Sequence, residues 1–524
     1  MRYFNTAGPC YPDLHYMIPV EERLPDARMY IEFGFYFVVH APRQSGKTTA
    51  LLGLARDLTA EGHFLALSIS CEIGEQFGDD FTGVETALLS ELRQAAELQG
   101  WAPDLLPPEW PDAAPGTRLK AGLAAWVAAC PRPLVLFFDE IDALRGDGLL
   151  NVLRQLRAGY TQSRKQFVHS VVLCGLRDVR DYKAASGGDP QRLGTASPFN
   201  IKIESIRIGD FDKIEMRQLF RQHTADTGQE FDDKAIDLAY YYTQGQPWLV
   251  NALVWEIIGK MRIRETITLD HVETAKERLI LARATHLDSL IDKLHQPRVQ
   301  RVLGPIVSGE LPDLDTSFDD DVAYTRDLGL IALGKQLRFA NPIYQEVIVR
   351  VLGQRTEAVI ADEPSSFRFP DGRIDFPRLL REFAAFWIQH GDVLAARDNY
   401  HEAAAQLVLM AYLHRIVNGA GYIDREVGVG RGRIDLLIRQ PYRDSEDCRE
   451  EQREALELKV WAANRPDPLA EGLIQLDAYL DRLGLATGVL VIFDRRPHAD
   501  PIAERTAFEE ARTSSGRTVT VLRA

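Results

Sequence analysis

YFVVHAPRQSGKTT, residues 36–49, decides how the first half of the chain folds. The apolar run YFVVH stops at Ala41-Pro42, and from Lys47 onward the apolar spacing becomes helical. A short continuous apolar run bounded by turn residues suits a strand buried on both faces. Strand, glycine-bearing loop and helix in that order turn backbone N–H groups and a helix N-terminus toward one point, which favours an anion. Ala41, Pro42, Arg43, Gln44, Ser45, Gly46, Lys47, Thr48 and Thr49 have the spacing of a phosphate-binding loop, with Ala41 where a glycine usually stands. Lys47 is then placed to reach the β- and γ-phosphates of a nucleotide, and the Thr48 hydroxyl to ligate Mg²⁺. A match of this kind arises by chance in roughly 0.03 of chains this long. Ala41 requires the first loop position to keep a negative φ.

Working outward, similar runs recur at 64–70 (FLALSIS), 133–140 (PLVLFFDE), 170–176 (SVVLCGL) and 201–208 (IKIESIRI), mostly separated by helical patterns. Strands alternating with helices predict a parallel α/β sheet. The third run drives a buried strand to its end, where Asp139 and Glu140 emerge. Asp139 is expected to hold Mg²⁺ through water, and Glu140 to orient or deprotonate the attacking water. Two weaker features carry two readings each. Arg177-Asp178, after SVVLCGL, is either a γ-phosphate sensor or plain surface. Gly245 and Pro247 in TQGQPWLVN either close the nucleotide pocket or simply break a helix.

From about 210 the strand runs give way to amphipathic helices. LIAL and LRFA around Gly334-Lys335 read as a hairpin, and helices with a terminal hairpin suggest a winged helix. EPSSFRFPDGR, 363–373, has the composition of a linker. Beyond it, helices at about 376–390 and 399–418 precede strands RIDLLI (433–438) and ALELKV (455–460), a helix, and the strand TGVLVIFD, which makes a separate α/β domain.

Charge narrows the partners. The chain of 524 residues has a formal net charge of −15, so general positive charge cannot bind nucleic acid and any such contact must be a local basic patch. Arg425, Arg431, Arg433, Arg439 and Arg443 form one such cluster, read either as phosphate contacts or as balance for the acidic loop that follows. Asp319, Asp320 and Asp321 favour protein or intramolecular packing over DNA for the winged-helix segment. Five scattered cysteines without a CxxC pair argue against a disulfide framework or zinc knuckle and fit a reducing cytoplasm. There is no signal-peptide core and no run of 18 apolar residues, so no membrane partner is expected.

In the last domain, Asp435 stands on one strand and Glu457-x-Lys459 on the next. Residues 457 and 459 point to the same face. Two carboxylates can hold a divalent cation, and Lys459 can position a hydrolytic water or stabilise developing phosphate charge. Glu402, on the preceding helix, is a third carboxylate. Gln475 and Tyr479, four apart on a helix, share a face and are placed to support Lys459. An E-x-K triplet alone is worthless at this length; the ordered set is not. A salt-bridged sheet edge is the competing reading.

Two resemblances follow from these residues. HYMIPVEERLPDARMYIEFGFYFVVHAPRQSGKTT (15–49), the Asp139-Glu140 strand, SPFN at 197–200, YTQGQPWLV at 242–250 and ANPIYQEVI at 340–348 look like bacterial and archaeal AAA-like ATPases of the signal-transducing kind. The helix Glu, strand Asp, strand E-x-K and Gln/Tyr helix resemble the PD-(D/E)xK nuclease superfamily, in the form of the small nuclease domain fused behind such ATPases. The resemblances imply an α/β protein: a P-loop parallel-sheet ATPase core (1–209) with a helical lid (210–283) and winged helix (284–355), a linker (356–375), and a separate restriction-endonuclease-like α/β domain (376–524). They imply ATP and Mg²⁺ as cofactors, with Mn²⁺ an alternative at the nuclease site, and nucleic acid as partner of the C-terminal domain. A homo-oligomer or a protein trigger fits the same class. Expected roles are catalytic for Glu140, Glu402, Asp435, Glu457, Lys459 and Gln475, and metal-binding for Thr48, Asp139, Asp435 and Glu457. Two other classes stay open: an ATP-driven regulatory switch with a latent or merely binding C-terminal fold, and a nucleic-acid motor.

Overall fold

A computed structural model describes residues 2–162, 166–177, 201–282, 292–308, 319–334, 336–357, 364–397, 404–417, 421–427, 434–443, 448–463, 465–496 and 498–524. The chain divides into two compact units: Met1–Leu281 with Asp327–Gly329, and Ala282–Arg326 with Leu330–Ala524.

The first unit is built on five parallel strands: β1 (Tyr36–His40), β2 (Leu65–Ser70), β3 (Leu134–Asp139), β4 (Ser170–Gly175) and β5 (Lys202–Arg207), in the order β2-β3-β4-β1-β5. These are the five runs expected from apolar content. Every residue of β3 and β4 is buried. Alternation along β3 feeds two cores. Leu134, Leu136 and Phe138 pack with Leu88, Leu92, Trp126, Leu153 and Leu156 from three helices on one face. Val135 and Phe137 pack on the other with Leu51, Leu54 and Leu58 of the helix Lys47–Ala60. Both faces being covered is why these strands read as continuous apolar runs and not as alternation.

Helices Lys213–Thr227, Asp233–Thr243, Pro247–Trp255 and Leu269–Leu281 follow, where amphipathic spacing predicts them. Asp212 and Glu215 form a capping box on the first. Gly245, φ +76°, sits where a Cβ would lie 1.8 Å from the Phe211 carbonyl oxygen, so only glycine lets the turn before Pro247 close onto residue 211.

Beyond Leu281, helices Pro297–Ser308 and Asp320–Asp327 precede a short antiparallel bridge, Ile331 to Phe339. The expected hairpin is there, but it is not terminal. Helix Pro342–Glu357 follows it, started by Pro342 and by Asn341, whose Oδ1 accepts the Tyr344 N–H at 2.8 Å. The acidic triplet is tied internally: Arg301 binds Asp319 and Asp321, and Arg298 reaches Asp321 at 3.2 Å. Residues 364–375 have a linker's composition but are packed. Phe367 and Ile374 are buried, Arg368 bridges to Ile374, and Gln452 holds the Ile374 backbone with both ends of its amide at 2.8 and 3.0 Å. The Pro and Gly there make a turn against the sheet.

That sheet has six mixed strands: β6 (Tyr422–Val427), β7 (Ile434–Arg443), β8 (Arg449–Trp461), β9 (Thr487–Asp494), β10 (Ala507–Arg512) and β11 (Thr518–Arg523), in the order β10-β11-β9-β8-β7-β6. Helix Leu469–Leu483 covers one face through Leu476, Tyr479 and Leu480 against Leu490, Ile492, Val519 and Val521. On the other, Trp387 of helix Phe376–Arg397 packs its ring on Phe493, 5.3 Å between centroids. Among the described residues no helix is long and apolar enough to cross a membrane.

Candidate functional site

The loop after β1 takes its shape from two left-handed residues, Gln44 (φ +60°) and Gly46 (φ +88°), and Ala41 is not one of them. Gly46 caps the helix that Lys47 opens. Lys47 Nζ donates to the carbonyls of Ala41 and Pro42, both at 2.8 Å, and Ser45 Oγ donates to Pro42 O at 2.9 Å. The ammonium therefore lies folded across its own loop. Burial pulls the Lys47 pKa down, against the neighbouring Asp139, Asp142 and Glu140, which raise it. Arg43 and Gln44 are exposed, and the Thr49 hydroxyl accepts the Cys10 N–H at 2.9 Å.

Asp139 ends β3, one strand removed from β1, yet the two motifs meet: Thr48 Oγ1 donates to Asp139 Oδ2 at 2.6 Å. Asp139 Oδ1 accepts the Glu140 N–H at 2.9 Å. Glu140 itself holds φ +54°, a left-handed conformation that costs a non-glycine residue about 1–3 kcal/mol and concentrates at functional sites. Its Oε2 accepts from Ser70 Oγ at 2.7 Å. Ser70 pairs with Asp139 across β2 and β3, which puts its hydroxyl beside the next residue of that chain. Burial raises the Glu140 pKa; Glu72 and Asp139 add to this, while the Ser70 hydrogen bond opposes it.

The turn at 245–247 reaches the loop. Gln246 Oε1 caps helix Pro247–Trp255 by accepting the Leu249 N–H at 2.6 Å, and its Nε2 donates to the Gln44 carbonyl at 3.3 Å. Leu176 N–H, beside Arg177, donates to Asp142 Oδ1 at 3.3 Å. Asp178 and the segment 197–200 lie outside the described residues. Ser70 and the Gln246–Gln44 link are contacts that sequence reasoning missed. Ser70 is separated from Glu140 by 70 residues, and only the strand order brings them together.

In the second unit, Asp435 of β7 stands directly opposite Glu457 of β8 in the antiparallel register. Glu457 is fully buried. Lys459, also buried, places Nζ 3.2 Å from Glu457 Oε1 and 3.7 Å from Glu471 Oε1, and donates to Gln475 Oε1. Gln475 Nε2 donates to Glu471 Oε1 at 2.7 Å. Gln475 thus links Lys459 to Glu471 along one face of the helix. Tyr479, its neighbour one turn on, is buried in the apolar cluster and does not face solvent. Glu471 went unread, although its i,i+4 spacing from Gln475 marks the same helix face. Glu402 lies outside the described residues, and of Asp435 the backbone alone is described. Among the described residues no three His, Cys, Asp or Glu gather as a metal site.

The basic cluster divides. Arg439 is committed to Asp424 at 2.5 Å and Glu451 at 3.2 Å and lies over the Tyr422 ring, 5.1 Å from its centroid, so charge balance accounts for it. Arg443 is exposed; Arg431 and Arg433 are outside the described residues, as is the side chain of Arg425.

The strand order, the loop after β1 and the acidic end of β3 define a P-loop α/β core. Ligands in such open sheets bind at the carboxyl ends of the strands, where Lys47, Thr48, Asp139 and Glu140 stand. No protein-family model matches the sequence, and no curated protein is similar to it. Among solved structures, the chain is similar to a Walker-type ATPase of Pyrococcus abyssi (14% identity over 66% of this chain and 99% of that one, TM-score 0.48). It is also similar to the RuvB Holliday junction branch migration motor of Thermotoga maritima (15%, 63% and 92%, TM-score 0.32) and to Cdc6p of Pyrobaculum aerophilum (12%, 64% and 93%, TM-score 0.33).

Proposed function

We propose that the first unit binds and hydrolyses ATP, that the C-terminal sheet carries a metal-dependent nuclease, and that nucleotide binding controls nuclease activity or the arrangement of the domains. The contact between Thr48 and Asp139 carries the first part. A hydroxyl and a carboxylate oxygen 2.6 Å apart, beside a phosphate-binding loop, are hard oxygen donors of the kind Mg²⁺ takes. When bound there, Mg²⁺ would supply charge to the β- and γ-phosphates. Lys47 exchanges its two carbonyl partners for phosphate oxygens. Glu140, fixed by Ser70 and with a raised proton affinity, accepts the proton of the attacking water. Gln246 carries the state of the loop to the helix it caps.

For the second part, Asp435 and Glu457 would hold Mg²⁺ or Mn²⁺, which supplies Lewis acidity at the scissile phosphate. Lys459, steadied by Gln475, stabilises the charge that develops. A second reading, a nuclease fold that binds without cutting and serves an ATP switch, draws on one observation: Glu457 is wholly buried against Lys459.

Two substitutions test the proposal. Lys47→Ala should abolish nucleotide binding or turnover in an ATPase assay, and unchanged hydrolysis would sink the first part. Asp435→Ala should abolish cleavage of supercoiled plasmid, single-stranded DNA and RNA, with Mg²⁺ or Mn²⁺, while the circular dichroism spectrum is retained. Equal cleavage by that variant removes the site; no cleavage by the parent moves the reading to the switch.

A further inference from the structure

Beyond Lys459, β8 ends in Trp461. Two residues on, Trp461 lies on the same face of the sheet as Glu457 and Lys459, about 6.6 Å along the strand, a distance one extended nucleotide spans. Its ring is partly exposed and is held in place: Nε1 donates to the Arg465 carbonyl at 3.1 Å. The Arg496 guanidinium covers the ring with its Cζ 3.6 Å from the centroid. That is stacking distance. Asp494, which pairs with Trp461 across β8 and β9, grips Arg496 at both Nε (2.9 Å) and Nη2 (2.6 Å). The plane is therefore fixed on one side by a ring and along one edge by a carboxylate, while Arg496 as a residue stays exposed. On the next strand Arg523, in register with Ile492 and so with Lys459, has its Cζ 5.8 Å from the same ring and is paired with Asp467 and Glu509.

We infer that the Trp461–Arg496 stack is a shelf for an unpaired nucleobase, and that the strand presented to Lys459 is single-stranded nucleic acid. This rests on the nuclease reading of the same face. Nucleobases taken out of a helix stack on aromatic rings and on guanidinium planes. Asp494 balances the charge of Arg496, so the shelf offers a flat surface more than a phosphate-binding charge. Rigid preparation of that surface lowers the ordering cost of binding. A duplex, whose bases are already stacked, gains nothing from it.

Fluorescence anisotropy of a labelled oligonucleotide on the full chain carrying Asp435→Ala tests this without cleavage, with DNA and RNA strands in separate arms and a matching duplex as reference. At least one single strand should bind. Adding Arg496→Ala should weaken that binding about tenfold and leave the duplex unchanged. Arg496→Lys, which keeps the charge and loses the plane, should weaken it as much. No binding of either single strand, unchanged affinity in Arg496→Ala, or full recovery in Arg496→Lys overturns the shelf. The two readings fail separately. A parent that never cuts but loses strand binding with Arg496→Ala keeps the shelf and loses the nuclease. A parent that cuts, with strand binding indifferent to residue 496, does the reverse.

Discussion

Glu140 carries the sharpest residue-level consequence. Its backbone is held in a left-handed conformation and its carboxylate by Ser70, so removing the carboxylate should remove chemistry and spare binding. Glu140→Gln is expected to lower kcat by about 10²–10⁴-fold with ATP affinity retained, read by comparing turnover with equilibrium binding. In the proposed role the ionised carboxylate is the base, so the rate should rise with pH through a pKa that lies above the ordinary carboxylate value. Ser70 donates to the ionised form and pulls that pKa down. Ser70→Ala should therefore push it higher still, and the acidic limb of the kcat profile should move to higher pH. A limb that stays in place would show that Glu140 does not limit the rate. Ser70 was not legible from the sequence, since a serine at a strand end is common, and Glu471 had only its i,i+4 spacing from Gln475 to mark it. What singles them out is the neighbour that strand order or helix packing supplies.

At the scale of elements, β3 and β4 were legible because they are buried on both faces and a two-sided burial writes itself as uninterrupted apolar sequence, whereas β5, with Ile203 exposed, shows apolar residues interrupted by charged ones. Phe137 is the measure of that burial: it is fully enclosed in the core on the Lys47–Ala60 side. Phe137→Ala should cost about 3–5 kcal/mol, seen as a lower midpoint in urea. Residues 364–375 show the opposite case. Proline and glycine declare a change of direction but not whether the turn is solvated, and Gln452, which fastens it, lies 78 residues away. The 245–247 turn was legible as punctuation, with closure of the nucleotide pocket as the other reading. Its second role can be separated by substitution. Gln246→Ala should cost about 1 kcal/mol in lost capping and also weaken ATP binding. Gln246→Asp restores a good cap without an N–H donor for Gln44, so stability should return and nucleotide affinity should not. Recovery of both would mean that the link to the loop is incidental.

At the scale of the whole molecule, the two proposed sites lie in different compact units, and any control of one by the other would be a free energy, independent of the path that carries it. If ATP binding changes the affinity of the second unit for nucleic acid by some factor, linkage requires nucleic acid to change the affinity for ATP by the same factor. A coupling of about 1–3 kcal/mol, common for allosteric pairs, makes that factor roughly 5–150. Both halves are measurable on one chain that neither hydrolyses nor cuts, Glu140→Gln with Asp435→Ala. ATP affinity is titrated with and without oligonucleotide, and oligonucleotide affinity with and without ATP. Equal factors above about five would establish that the nucleotide and the nucleic acid address one shared equilibrium, and the sign would show whether ATP favours or restrains engagement of the C-terminal sheet. A factor of one in both titrations would leave an ATPase and a nucleic-acid-binding fold that share a chain without sharing a switch, and control would then have to act on the chemical step alone.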